Sequence, residues 1–206
     1  MTLPTATILS RPSGGRPLVL GSTSPYRREL LLRLRLPFEV AAPQVDETPH
    51  AGEAPRALAI RLARAKALAV AQQHADAVVI GSDQVVDLDG EPLGKPGDHA
   101  HATAQLRRMR GRAVVFHTAV TVACVASGFE ASDIAEVKVR FRDLTDAEIE
   151  RYLHAEQPYD CAGSAKSEGL GISLLDAIDN DDPTALVGLP LIRTCRLLRA
   201  AGVQIA

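Results

Sequence analysis

The sequence predicts an α/β fold whose sheet contains both parallel and antiparallel strands. Residues 18–20 are apolar and precede a polar turn and then leucines at helical spacing, which is the strand–turn–helix order of a parallel unit. Asp89 and Gly90 stand between two short extended segments and indicate an antiparallel hairpin. Residues 113–125 and 135–141 alternate apolar and polar side chains and favour two long antiparallel strands.

The first half of the chain alternates strands and helices. Ser24 and Pro25 mark the start of the first helix, since a hydroxyl can cap it and proline suits its first position. The predicted elements are a strand at 18–20, the helix from Pro25, a short strand at about 38–41, an alanine-rich helix at about 55–73 and a buried strand, "ADAVVIGSD", that ends at Asp83.

The second half adds the long strands and three more helices. Asp98 is expected to cap a helix that runs to about Arg110. Thr145 and Glu148 form a capping box that opens the helix "DAEIERYLHAE". A glycine-rich segment, "CAGSAKSEGLGISL", precedes a last helix at about 190–200.

Length, charge and cysteine content restrict the class of protein. With 206 residues, of which 46% are apolar, the chain can bury the core of a single domain, which we expect at 17–206. We expect residues 1–16 to form a flexible tail. A net charge of −2 provides no field for a nucleic acid polymer or an anionic membrane, and no apolar run approaches the roughly 18 residues of a span. The three cysteines are far apart and the six histidines form no zinc pattern. We therefore expect a cytoplasmic protein with a small partner.

The turn after the first strand resembles a phosphate-binding site. The hydroxyls of Ser22 and Thr23, the guanidinium of Arg27 and the free backbone N–H groups of the helix start lie near one point, which suits an anion. The alternative is an ordinary capped helix on which Arg27 and Arg28 are solvated.

Two lysines and one aspartate are further candidates. Lys66 lies at the edge of the apolar stripe of its helix, where a lysine commonly extends to water. Lys95 precedes a proline and should project from a loop. Asp83 is expected at the carboxyl end of a strand, where open α/β sheets bind ligands, although it could also cap a helix. His117 lies inside a strand and is expected to be structural.

Carboxylates supply the remaining chemistry. Asp46 and Glu47 are adjacent in a turn, and Asp87 and Asp89 belong to the hairpin. Such oxygen ligands suit Mg²⁺ or Mn²⁺, although their spacing alone defines no site. Cationic groups, a helix N-terminus and carboxylates together match the needs of a metal-bound nucleoside triphosphate.

A set of short motifs resembles the Maf family of nucleotide pyrophosphatases. The resemblance covers about residues 17–200 and implies an elongated mixed sheet flanked by helices, in two lobes around a nucleotide-binding cleft. It also implies hydrolysis between the α- and β-phosphates, which yields a nucleoside monophosphate and pyrophosphate. The motifs are Ser22-x-Ser24-x-x-Arg27, Asp46-Glu47, Lys66-Ala67, Gly81-Ser82-Asp83, Gly94-Lys95-Pro96, "FRDLTDAEIERYL", "CAGSAKSEGLG" and "LVGLPL".

The resemblance also implies a role for each matching residue. Asp83 would be the general base that activates water, and Glu47 would help bind the metal or orient water. The divalent cation, Mg²⁺ or Mn²⁺, would be held by Glu47 and Asp83. The triphosphate would be held by Ser22, Arg27, Lys66 and Lys95.

The motifs "STSPYRR", "GSDQV" and "GSAKSEG" resemble the branch of the family that hydrolyses 7-methyl-GTP. The specificity positions would be Tyr26, Gln84 and Glu168. Two alternatives stay open, namely a pyrophosphatase for pyrimidine triphosphates such as dTTP or UTP, and a nucleotide-binding regulator of cell division without turnover. A homodimer is left open as well.

Overall fold

The computed structural model describes residues 15–205, which form a mixed sheet of seven strands flanked by helices. Residues 1–14 of the predicted tail lie outside the described residues. The strands are β1 (Leu18–Gly21), β2 (Glu39–Val40), β3 (Val78–Leu88), β4 (Glu91–Leu93), β5 (Ala113–Cys124), β6 (Phe129–Phe141) and β7 (Leu175–Asp179). The α-helices are α1 (Pro25–Leu32), α2 (Pro55–Gln73), α3 (His99–Met109), α4 (Asp146–Glu156) and α5 (Leu191–Ala200).

The sheet is parallel at one end and antiparallel elsewhere. The strand order is β2-β1-β3-β5-β6-β7, and β4 pairs with β3 outside this path. β1 pairs in parallel with β2 and β3, whereas β5 pairs antiparallel with β3 and β6. This confirms the predicted mixed sheet.

The central strand β3 is longer than predicted. The parallel pairing with β1 stops at Gly21 and Gly81, but β3 continues to Leu88 against β5 and then forms the β4 hairpin. Asp83 therefore lies within a strand, just beyond its parallel part, and the prediction that the strand ends there was wrong. The pairing with β5 covers β3 on its other edge and extends it.

The start of β6 was also misplaced. The prediction left residues 126–133 as a connection, whereas β6 begins at Phe129 and pairs Phe129 with Cys124. The connection is a short turn that ends at Gly128, whose φ is 65°. Glu130 and Ser132 are exposed and alternate with the less exposed Phe129 and Ala131, which is the pattern of a strand with one face toward solvent.

The helix and turn signals are confirmed. The side chain of Ser24 accepts from the backbone N–H of Arg27, and Asp98 likewise caps α3. Thr145 and Glu148 form the complete capping box of α4. Asp89 and Gly90 both have positive φ, as a tight hairpin turn requires.

The apolar core divides along the length of the sheet. One end of β3, β5 and β6 packs under α3 and α4 in a single large cluster. The other end packs against α1 and α5 on one face and against α2 on the opposite face. The three long strands are continuous through both parts, in agreement with the two lobes that were expected.

Within residues 15–205, no helix combines the length and the apolarity that a membrane span requires.

Candidate active site

A cleft of about 610 Å³ opens between the two parts of the core. Its walls come from the β1–α1 turn, the segment after β2, α2, β3, the segment after β4 and the loops near 160–168 and 186–188. Every residue of the predicted site lines it: Ser22, Tyr26, Arg27, Glu47, Lys66, Asp83, Gln84, Lys95 and Glu168.

A buried ion pair lies on one wall of the cleft. Nζ of Lys66 is 2.6 Å from Oδ1 of Asp83 and 3.0 Å from Oε1 of Glu47. Lys66 and Asp83 are only 5% and 7% exposed, whereas Glu47 is exposed. The alternative that Lys66 extends to water is therefore excluded, because the two carboxylates satisfy its charge inside the cleft.

The close approach of α2 to β3 explains how Lys66 reaches Asp83. Successive residues of a strand point to opposite faces, so Gly81 and Asp83 face the same side of the sheet, toward α2. A Cβ atom at Gly81 would lie 2.4 Å from the backbone O of Ala63 and the backbone N of Ala67. Only glycine permits this helix-to-strand distance, which brings Lys66 against the strand.

Arg27 also lines the cleft and is fixed there by neutral groups. Its Nε donates to the carbonyl of Gly188 at 2.8 Å, and its Nη1 donates to Oγ of Ser22 at 3.3 Å. Burial lowers the pKa of the Arg27 guanidinium, and the nearby carboxylates of Asp83 and Glu47 act in the opposite direction. The guanidinium is thus held by neutral partners and has N–H groups left for an anion.

The loop at 185–188 is tied to β3 by polar side chains. Nε2 of Gln84 donates to the carbonyls of Ala185 and Leu186, both at 3.0 Å. Oγ of Ser82 donates to the carbonyl of Gly188 at 3.1 Å. Gln84 therefore orders the loop that holds Arg27, and its role in base specificity stays a prediction.

Sequence analysis missed the residues that anchor this loop to α5. Oδ2 of the buried Asp182 accepts from the backbone N–H of Arg193, and Oγ1 of Thr184 accepts from that of Leu191. The motif "DDPT" a few residues before a helix was the available signal, since Asp and Thr commonly satisfy the first N–H groups of a helix.

A cluster of one aromatic and two polar side chains, Tyr26, Asp160 and Cys161, forms the far end of the cleft. The hydroxyl of Tyr26 donates to Asp160 at 3.4 Å and accepts a weak hydrogen bond from the Cys161 thiol at 3.8 Å. Burial, with the neighbouring Cys161 and Asp160, raises the pKa of Tyr26. Burial also raises the pKa of Cys161 to about 12, so the thiol is protonated near neutral pH. Asp160 and Cys161 were not predicted.

Charged side chains surround this end. Nζ of Lys166 lies 5.7 Å from the centroid of the Tyr26 ring and 2.8 Å from Oε1 of Glu156. Partial burial raises the pKa of Glu168, although its backbone hydrogen bond and the charge of Lys166 act in the opposite direction. Lys95 is exposed and Glu168 is partly exposed at the rim of the cleft.

The cleft carboxylates fit a hard divalent cation. Glu47 and Asp83 both contact the ammonium of Lys66, so their oxygens converge on one region of positive charge. Mg²⁺ typically binds one or two carboxylates and takes its remaining oxygen ligands from water and phosphate. Asp46 instead accepts from the backbone N–H of Thr48, and Asp87 from that of Gly90 in the hairpin.

A second group that could hold a metal lies outside the cleft. His99, Glu150 and His154 each offer one ligand atom, and these atoms lie within 4.8 Å of one another. The sequence showed no zinc pattern because His99 is on α3 and the other two are on α4. His117 belongs to neither group: it is buried in β5, with its Nε2 3.3 Å from Asp87, as expected of a structural residue.

Comparison with known proteins agrees with this architecture. The family model described as Maf-like protein matches residues 17–201. The chain is 74% identical over 190 residues to the 7-methyl-GTP pyrophosphatase of Polaromonas sp. (strain JS666 / ATCC BAA-500), a match that spans 92% of this chain and 87% of that protein. It is 70% identical over 190 residues to the 7-methyl-GTP pyrophosphatase of Albidiferax ferrireducens, spanning 92% and 96% of the two chains. The protein of the same name from Cupriavidus pinatubonensis is 60% identical over 188 residues, spanning 90% and 93%. On the strength of the matched length and these identities, the chain belongs to the Maf family.

Proposed function

We propose that this protein hydrolyses 7-methyl-GTP to 7-methyl-GMP and pyrophosphate. The observation that carries the reaction is the buried Lys66–Asp83 pair in a cleft that also contains Glu47 and Arg27. The methylated base is supported by the names of the relatives above, which are 70% and 74% identical to this chain. Removal of such a modified nucleotide would prevent its use in place of GTP.

The chemical step is an attack of water on the α-phosphorus. Asp83 accepts a proton from the water as the new P–O bond forms, and the bond from the α-phosphorus to the bridging oxygen breaks. Pyrophosphate leaves with that oxygen. A carboxylate suits this role because it has lone pairs for the proton and is fixed by its hydrogen bond to Lys66.

Cationic groups hold the triphosphate in this arrangement. Arg27, Lys66 and Lys95 all line the cleft, and Lys95 is exposed at its rim. Ser22 orients Arg27 and, with the first N–H groups of α1, lines the phosphate end. Phosphate oxygens would compete with Asp83 and Glu47 for Lys66, which leaves both carboxylates available in the substrate complex.

Glu47 and Asp83 are the residues that would hold Mg²⁺ or Mn²⁺. When bound, the cation neutralises charge on the phosphates and so favours departure of pyrophosphate.

Recognition of the base is assigned to the far end of the cleft. Methylation at N7 gives guanine a positive charge, which favours the face of an aromatic ring and a nearby carboxylate. Tyr26 supplies the ring, and Glu168 can accept hydrogen bonds from the N1 and N2 edge of the base. Gln84 acts indirectly, because its amide orders the loop at 185–188.

We also propose that the reaction takes place in the cytoplasm on free nucleotide. The cysteines among residues 15–205 are free thiols, as suits a reducing compartment.

A nucleotide panel tests the proposal. Turnover of 7-methyl-GTP, GTP, dTTP and UTP is measured with Mg²⁺ or with excess chelator, and pyrophosphate and inorganic phosphate are quantified separately. We expect pyrophosphate as the primary product, a higher kcat/KM for 7-methyl-GTP than for the other nucleotides, and loss of activity in chelator. Preference for dTTP or UTP would support the pyrimidine alternative, and binding without turnover would support the regulator.

A further inference from the structure

Three potential metal ligands meet where the start of α3 contacts the end of α4. Nε2 of His99 lies 2.9 Å from Oε2 of Glu150, and Nε2 of His154 lies 3.7 Å from the same oxygen. The two imidazole rings are 5.1 Å apart between centroids. Glu150 and His154 are four residues apart on α4 and therefore share a face of that helix.

The geometry is close to that of a tetrahedral site. Zinc binds imidazole nitrogen and carboxylate oxygen at about 2.0–2.1 Å, so neighbouring ligand atoms are separated by roughly 3.3 Å. The measured separations of 2.9 and 3.7 Å fall on either side of this value. His154 is exposed and can rotate, so the remaining adjustment needs no movement of the backbone.

Two hydroxyl groups contact the ligand side chains through atoms that do not face the metal position. Oη of Tyr159 lies 3.1 Å from Nδ1 of His99, the ring nitrogen that faces away from Glu150. Oγ1 of Thr103 donates to the other carboxylate oxygen of Glu150 at 3.4 Å. Histidine ligands of metals commonly use their second ring nitrogen in this way.

The tyrosine hydroxyl allows His99 to change its role without a lost hydrogen bond. When Nε2 of His99 carries the proton, it donates to Glu150, and Nδ1 accepts from Tyr159. When Nε2 binds a metal, Nδ1 carries the proton and donates to the oxygen of Tyr159.

The charge of the cluster is also suited to a cation. Within residues 15–205, Glu150 forms no salt bridge with a lysine or an arginine: the histidines His99 and His154 contact it, and Arg107 acts on it only at longer range. Its interaction with these histidines, first that with His99, lowers the pKa of Glu150. The carboxylate is therefore available in its charged form at neutral pH.

We infer that His99, Glu150 and His154 form a binding site for Zn²⁺ or a similar borderline transition metal, distinct from the catalytic cleft. Water completes the tetrahedron. The two nitrogen ligands select against Mg²⁺, which prefers oxygen.

The metal acts as a clamp between two segments that reach the cleft. His99 begins α3, four residues after Lys95, and the backbone N–H of Gly97 donates to the carbonyl of Tyr159 at 3.0 Å. Tyr159 in turn precedes the cleft residues Asp160 and Cys161. Bound zinc would hold α3, α4 and the segment at 157–161 together.

Zinc binding to the untagged full chain tests the inference. Zn²⁺ is titrated by calorimetry in the presence of millimolar Mg²⁺, which occupies oxygen sites in the cleft, and the melting temperature is measured with and without Zn²⁺. We expect one Zn²⁺ per chain. At a hundredfold excess over Kd, we expect an increase in Tm of about 5–10 °C.

Matched variants locate the site. His154→Ala should lower the affinity for Zn²⁺ at least about tenfold and so reduce the Tm increase to about half or less. Tyr159→Phe should lower the affinity about tenfold through the lost second-nitrogen contact. His101→Ala is the control, because His101 is an exposed histidine on the same helix that pairs with Asp98 instead. Without Zn²⁺, His154→Ala should keep the wild-type Tm and Mg²⁺-supported kcat.

Three results would overturn the inference. The first is a wild-type protein that binds no Zn²⁺ with a Kd below 1 mM. The second is the same Kd for Zn²⁺ in His154→Ala as in wild type. The third is Zn²⁺ binding that is lost in Cys161→Ser and kept in His154→Ala. The last result would place the zinc at the cleft thiol.

Discussion

Nζ of Lys66 lies 2.6 Å from Oδ1 of Asp83, and the glycine two residues before Asp83 allows the helix of Lys66 to come this close. A buried carboxylate and a buried ammonium compensate each other, and either one alone would be costly. The pair therefore links the stability of the fold to the proposed chemistry.

Asp83→Asn should reduce kcat for pyrophosphate release by a factor of about 10² to 10⁴, because the amide cannot take the proton of the attacking water. The amide oxygen still accepts from Lys66, so nucleotide affinity measured by calorimetry should change little. Asp87→Asn is the control, since Asp87 lies on the same face of β3 but belongs to the hairpin. Near wild-type turnover of Asp83→Asn would exclude Asp83 as the base.

Lys66→Met should destabilise the protein by about 3 kcal/mol, since it leaves the carboxylate of Asp83 without its buried counter-charge. Adding Asp83→Asn to this variant should restore part of the loss, because a neutral amide needs no counter-charge. Urea unfolding of the two single variants and the double variant measures the coupling. Lys95→Met changes an exposed lysine and should stay within about 0.5 kcal/mol of wild type. Strictly additive effects at Lys66 and Asp83 would show that the ion pair contributes nothing.

Gly81→Ala tests the helix-to-strand contact. The new methyl group would meet the backbone of Ala63 and Ala67, so α2 must shift, at a cost of about 1–3 kcal/mol. Since Lys66 precedes Ala67, we also expect a lower kcat/KM. Gly94→Ala is the control, because the added methyl group would have no described atom within 4 Å. The unfolding curve of this variant should match that of wild type. Equal stability of the two variants would contradict the proposed spacing.

Glu168→Gln keeps the shape of the side chain and removes its charge. We expect the ratio of kcat/KM for 7-methyl-GTP over GTP to fall more than overall turnover does, because the carboxylate favours the cationic base. Protonation of Glu168 at low pH removes the same charge, so the preference for 7-methyl-GTP over GTP should also decrease as pH falls. Because the pKa of Glu168 is raised, this decrease should occur at a higher pH than for an ordinary glutamate.

Glu29→Gln is the control for this comparison, since Glu29 is exposed on the same helix as Tyr26 and does not line the cleft. An unchanged ratio in Glu168→Gln would mean that Glu168 does not sense the base, and would favour the pyrimidine alternative.

Local signals were sufficient for most of the fold. The bounds of α2 and α4 and the hairpin at Asp89 and Gly90 follow from capping residues, apolar spacing and turn preferences, all of which act between residues close in sequence. The end of β3 could not be predicted in this way, because β5 extends that strand through hydrogen bonds between residues distant in sequence.

The motifs named residues that line one cleft, but they did not predict the contacts among them. Motifs identified Lys66 and Asp83, yet the pairing depends on how closely α2 approaches Gly81, which is a property of tertiary packing. The contact between His99 and Glu150 could not be predicted either, because the two residues are far apart in the sequence and meet only through tertiary packing. Gly188 contributes through its backbone carbonyl, which no residue pattern reveals.

The continuity of β3, β5 and β6 through both parts of the core restricts how the cleft can respond to a nucleotide. Two bodies joined by a linker can rotate about a hinge, but here rotation would break the ladders that pair these strands. Adjustment is expected instead from cleft segments outside the sheet, above all those at 42–49 and 160–168. Substrate binding should therefore slow amide exchange in those two segments and leave the radius of gyration unchanged.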